Sequence, residues 1–180
     1  MDGPPSLSPA DERPTDPGAP APPGDGPRAL PERAITMWRA QALIRLGLFH
    51  LPLAVGLAVG LSRVQPALGA VVGGAWLVVH SLLAVTWPSL EWAAFRYELR
   101  QHDLLVQSGV LFRQWSCVPL HRIQHVDTRQ GPIERAFGLS RVLVYTAAGM
   151  SADGSVPALT EAEAAALRDE LARRGGDDGV

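Results

Sequence analysis

The sequence contains no lysine; all 16 of its basic residues are arginine. Alongside abundant Ala, Gly and Pro, this bias points to a GC-rich coding sequence, although the guanidinium group also suits phosphate and carboxylate partners. Cysteine is nearly absent too. Cys117 stands alone, which excludes an intramolecular disulfide and thiolate metal clusters and allows a reducing compartment. The formal net charge of −2 lacks the bulk positive charge of a nucleic-acid binder, so no nucleic-acid partner is expected. Catalytic signatures are missing as well: there is no Ser-centred elbow, no HExxH, no phosphate loop and no Cys–His pair. Carboxylates between Phe95 and Gly149 are limited to Glu98, Asp103, Asp127 and Glu134. The expectation is a protein that is not an enzyme and carries no cofactor.

Charge is scarcest between Leu46 and Leu90, where Arg63 alone divides two uncharged apolar runs of 17 and 27 residues. Each run is long enough to cross a hydrocarbon core of about 30 Å as a helix, the first with help from its flanking arginines. This predicts a membrane hairpin, with transmembrane helices over 46–63 and 66–88. Ahead of it, residues 1–28 form a Pro-rich, acidic stretch with almost nothing to bury, predicted to be a disordered tail. Its length and acidity do not fit a cleavable signal peptide, so the first span is expected to be retained. Residues 29–45 alternate Arg33, Arg39 and Arg45 with apolar side chains and predict a basic juxtamembrane helix. Arginines flank the hairpin on both outer sides while its loop holds one, which favours both termini in the cytoplasm.

Within the hairpin, Gly56-x-x-x-Gly60 and Gly69-x-x-x-Gly73 fall at similar depths in antiparallel helices, and small residues there allow close backbone approach. Chance GxxxG matches in a Gly-rich chain are the alternative. His50 and His80 fall at matching depths on the cytoplasmic side. Without an acidic partner in either span they read as an interhelical polar contact rather than a proton path.

After Pro88 the period changes to two. Phe95, Tyr97 and Leu99 alternate with Arg96, Glu98 and Arg100 in a half-buried strand. Further strands are predicted over Leu104–Gln107, Val110–Val118, Arg122–Thr128 and Arg141–Thr146, with a short helical turn ending at Gly138 and a weak hairpin over Ala148–Leu159. Thr160 and Glu163 form a capping box for a final amphipathic helix that Gly175 ends, leaving 175–180 as a disordered tail. Residues 91–174 thus form one small antiparallel β domain capped by a C-terminal helix, and the whole chain is an α+β membrane protein.

The run Val118–Leu139, VPLHRIQHVDTRQGPIERAFGL, resembles the signature of bacterial pleckstrin-homology-like domains of the membrane-flanked, YdbS-like type. The likeness extends through the two preceding spans, the entry strand FRYEL, the turn Ser108–Arg113 and the closing helix. It implies a pleckstrin-homology-like barrel of bent antiparallel sheets capped by the C-terminal helix, held at the inner face of a bacterial cell membrane. It implies no reaction; related bacterial domains are thought to assemble into rings or to support complexes.

The candidate binding loop comprises Arg122, Gln124, His125, Asp127, Arg129, Gln130, Gly131, Pro132, Glu134, Arg135, Phe137 and Gly138. His121, His125 and Asp127 alternate along a strand in a conceivable metal site, but the resemblance makes the position of His121 variable, so no metal is expected. His125 and Asp127 are instead expected to fix the loop, and Glu134-Arg135 to form a surface ion pair. The loop is expected to expose Ile133 and Phe137 to a partner. Two functions fit. One is a non-catalytic binding or assembly module that scaffolds a membrane protein complex or a homo-oligomer. The alternative is a sensor of anionic phospholipid headgroups, using the excess of seven arginines over four acids between Phe95 and Gly149.

Overall fold

In the computed structural model, residues 26–147 and 152–177 are described, the last two by their backbone alone. The apolar run begins with α1 (Arg33–Arg45), passes through a five-residue π turn (Leu46–His50) and continues as α2 (Leu51–Ser62), a single helical run from Arg33 to Ser62. Pro52 has no N–H to donate to the carbonyl one turn back, and the wider turn just ahead of it accommodates that gap. The second helix, α3 (Pro66–Ala94), opens on Pro66, whose fixed φ suits the first turn. Both helices are long and apolar enough to cross a membrane. Only 6% and 17% of their most apolar stretches are buried inside the molecule, unlike the core helix of a soluble protein.

The helix α3 runs six residues past Pro88, where the sequence predicts its end. Pro88 leaves the Ala84 carbonyl without its ladder donor, and Arg39 of α1 donates its Nε–H to the neighbouring Val85 carbonyl at 3.1 Å, tying α1 to α3 just ahead of the proline. Beyond the proline, Trp92 donates its indole N–H to the Leu30 carbonyl at 2.8 Å and Phe95 is buried. Tertiary packing therefore carries the helix through.

The chain enters the β domain directly from α3. Strands β1 (Arg96–Leu99), β2 (Asp103–Ser108) and β3 (Gln114–Pro119) form one antiparallel sheet in the order β1-β2-β3. A 3-10 turn (Leu120–Arg122) leads to a second sheet of β4 (Ile123–Arg129), β5 (Leu139–Thr146) and β6 (Gly154–Thr160), in the order β4-β5-β6. The short helix α4 (Pro132–Ala136) joins β4 to β5, and α5 (Glu161–Asp177) closes the domain. The two sheets do not close into a barrel. Their apolar faces, with α5 between the open sides, bury Leu104, Val118, Leu139, Val142, Val144, Val156, Leu167 and Leu171 in one core. The capping box stands as predicted: Thr160 receives the Glu163 carboxylate on its backbone N–H at 2.9 Å, and the Glu163 N–H donates to the Thr160 hydroxyl at 3.3 Å.

Several predicted boundaries move. Arg28 lies within the predicted disordered tail, yet it exchanges two backbone hydrogen bonds with Tyr97, at 2.7 and 3.1 Å, and so extends the β1 edge. Residues 1–25 lie outside the described residues. The closing helix continues through Gly175 to Asp177, because the Gly175 backbone packs against Leu120 and Ile123; only 178–180 lie outside the description. The strand predicted over Val110–Val118 starts at Gln114, since Gly109 turns the chain at φ +97°. The hairpin predicted over Ala148–Leu159 is a full β5–β6 pairing, in which the Asp153 carboxylate accepts from the backbone N–H and hydroxyl of Thr146 at 3.1 and 2.6 Å. Its residues 148–151 lie outside the described residues.

Candidate functional site

The signature run divides into a pinned turn and an exposed strand face. In the turn, the Gly131 N–H donates to the Glu134 carboxylate at 2.6 Å, Pro132 opens α4, and Gly138 leaves the helix at φ +65°. Gln130 donates its amide to the Leu139 carbonyl at 3.1 Å and to Glu161 at 2.9 Å, tying the turn to α5. Glu134 is buried, and its partner is Arg141 on β5, which bonds it through Nε at 2.7 Å and through its terminal nitrogen. The expected surface pair with Arg135 does not form: Arg135 points to solvent while the helix turns Glu134 inward. Ile133 and Phe137 are likewise not presented to a partner. Both pack against the core, and α4 lies against α1. The turn is thus chiefly a structural clasp between the domain and the juxtamembrane helix.

The exposed face of β4 gathers His125, Asp127 and Arg129. The His125 ring stacks on Tyr145 of β5, with centroids 4.3 Å apart and planes at 12°. Arg129 donates to the Tyr145 hydroxyl at 3.1 Å and lies 3.8 Å from Asp127. Contacts to Tyr145 across the strands, and between Asp127 and Arg129 along β4, hold these side chains. Gln124 and Arg122 are exposed nearby, and no three metal-ligating side chains converge among the described residues.

In the hairpin, only one glycine pair is at the helix contact. A methyl group at Gly69 would strike the Ala58 carbonyl, and one at Gly73 would lie 2.9 Å from the Ala54 carbonyl and from the Ala58 side chain. Gly56 and Gly60 face open space, so the surface opposite Gly69 and Gly73 is made by alanines instead. His50 and His80 do meet, with ring centroids 4.2 Å apart, and His80 in turn stacks on Trp76 at 4.2 Å. The His80 Nδ1 lies 2.9 Å from the Trp76 carbonyl, while no group among the described residues bonds the buried His50 Nδ1. His50 and His80 line one end of a cavity of about 430 Å³ between α1 and α3. Arg45 and Glu91 also line it.

One surface has no counterpart among the expected site residues. The β2–β3 loop carries Leu111 and Phe112 at 76% and 87% exposure, and Trp115 at the start of β3 is 58% exposed. The signal for it was the apolar Val110-Leu111-Phe112 run, which alone cannot be told from a buried strand.

The comparisons with known proteins agree with this architecture. The chain is 36% identical over 115 residues to the UPF0699 transmembrane protein YdbS of Bacillus subtilis (strain 168), covering 63% of this chain and 70% of that protein. No solved structure matches it significantly. The family described as Bacterial PH domain matches residues 42–175, which take in the first apolar helix from Ala42 onward, the second helix and both sheets, and the chain belongs to that family.

Proposed function

We propose that the protein is a membrane-anchored, non-catalytic assembly module, crossing the bacterial inner membrane twice with both termini in the cytoplasm and scaffolding a membrane complex or a homo-oligomer. The observation that carries this reading is the open edge of β3. Among the described residues the strand pairs with β2 on one side only; Ser116 donates its hydroxyl to the Asp153 carbonyl at 3.3 Å just ahead of β6, while Gln114, Trp115 and Cys117 are exposed to solvent. It carries no charge, and its one proline is its last residue, Pro119, so the devices that normally blunt a free edge are missing from Gln114 to Val118. Such an edge accepts a strand from another chain, with backbone hydrogen bonds supplying affinity and Trp115 an anchor.

Cys117 makes the test direct. Partial desolvation, then hydrogen bonding to Asp103, raise its thiol above the ordinary value, so labelling is done at alkaline pH. In native membranes, a bismaleimide is expected to link two copies through Cys117, or a photo-crosslinker in place of Trp115 to capture a membrane protein. A chain that stays monomeric and uncaptured in both experiments would overturn the reading. A second reading, headgroup sensing, is favoured by the exposed Arg135 on α4, the short helix that packs against the juxtamembrane helix α1. Charge-dependent binding of the chain's lipids that disappears with Arg135→Ala would support it.

A further inference from the structure

We propose that the β2–β3 loop is a third membrane attachment: Leu111 and Phe112 insert at the boundary between headgroups and acyl chains of the inner leaflet, and lipid chains fill the groove behind them. The proposal rests on the reading of α1–α3 as a spanning hairpin.

Depth is the first argument. Trp87 lies 21 residues along α3 from Pro66, which at 1.5 Å per residue is about 32 Å, the far edge of a hydrocarbon core of about 30 Å. Trp87 and Trp38 of α1 are therefore at headgroup level, where indole rings concentrate. Leu111 and Phe112 face these two tryptophans across a groove of about 410 Å³, floored by Phe95 and Pro157, where the lining Glu91 carboxylate accepts the Trp87 indole N–H at 2.8 Å. The loop tip is thus held at the boundary by the fold.

Shape is the second. Gly109 adopts φ +97°, and a methyl group there would collide with the Phe112 carbonyl. The chain doubles back tightly and keeps the two apolar side chains out in front, with Arg113 next to them for the headgroups. Continuity is the third. On α3, Val79 and Leu83 are 51% and 45% exposed and stand on the same i, i+4 row as Trp87 and Glu91 of the groove, so lipid-facing surface leads down the helix toward it. The bilayer that covers those side chains is the occupant nearest to the loop.

The test uses the full chain in nanodiscs of phosphatidylethanolamine and phosphatidylglycerol. An environment-sensitive fluorophore is placed on Phe112→Cys, Leu111→Cys or Val79→Cys, each with Cys117→Ser, and on Ala166→Cys of α5 in the same background as the solvent control. The labels at 111 and 112 are expected to show blue-shifted emission, quenching by nitroxide-bearing lipid and protection from iodide, whereas the label at 166 shows the reverse. Quenching by iodide at 111 and 112 without quenching by lipid overturns the proposal. Protection from both quenchers also overturns it, because that marks a protein partner or a second copy. Val79 separates the two readings. Lipid quenching there with none at 111 and 112 rejects the loop alone, while its absence rejects the hairpin and the loop together.

Discussion

Glu134 shows what a single buried carboxylate contributes to this domain. Its side chain is 4% exposed, and it accepts one backbone N–H and two guanidinium N–H groups. Its removal strands the Gly131 N–H and leaves Arg141 without its counter-ion. A buried pair broken from one side costs about 3–5 kcal/mol, but Arg141 is 44% exposed and recovers water, so about 2 kcal/mol is expected for Glu134→Ala. Glu134→Gln retains the bond to Gly131 and should cost less. Denaturant unfolding of the protein in detergent checks the order; equal stability of both variants with the parent would show that the clasp contributes nothing. The partner of Glu134 was hidden in the sequence for a physical reason. Adjacent Arg135 is the obvious choice by spacing, but consecutive helical residues point about 100° apart, and Arg141 comes close only once Gly138 has reversed the chain into β5.

At the scale of elements, the long uniform patterns were legible and the contacts between elements less so. Apolar length predicted both helices, period two predicted β1, and the spacing of Thr160 and Glu163 predicted the start of α5. Which face of a glycine-rich helix meets its neighbour depends on rotation about the axis, which composition does not encode: two GxxxG pairs are present and one packs. The consequence is a paired prediction. Gly73→Val puts methyl groups where the Ala54 carbonyl and Ala58 already sit, whereas Gly60→Val adds them to open space. The first should separate the helices and destabilise the fold by about 1–3 kcal/mol, as overpacking does. The second should stay within about 0.5 kcal/mol, the range of surface changes. Thermal unfolding in detergent, with disulfide trapping between cysteines introduced on α2 and α3, reads both; equal loss in the two variants would refute the assigned face.

The whole molecule is not a domain on a tether. Sequence periodicity places the β domain at 91–174, but the core it encloses also takes Leu30, Ala34 and Met37, which are 2%, 0% and 1% exposed and precede the hairpin. Arg28 adds two backbone hydrogen bonds to β1, and Trp92 reaches back to the Leu30 carbonyl. The two ends of the apolar hairpin are thus built into the folded domain, so a displacement of the helices relative to each other must be felt by β1 and the core. The basic alternation of residues 29–45 pointed to a juxtamembrane helix, and it masked this role because the three core side chains are too few to set a visible period. Burial of a Leu or Met side chain contributes about 1.5–3 kcal/mol, so the loss of Leu30 and Met37 costs roughly 3–6 kcal/mol against a usual total of about 5–15. An isolated 91–174 fragment should therefore lack a cooperative unfolding transition. A chain that joins residues 26–40 through a Gly/Ser linker to residues 86–177, omitting the apolar segments, should regain one. Circular dichroism melts compare them directly. A fragment 91–174 that melts as cooperatively as the linked chain would mean that the juxtamembrane helix only rests on a complete domain, and that movement of the helices need not reach the core.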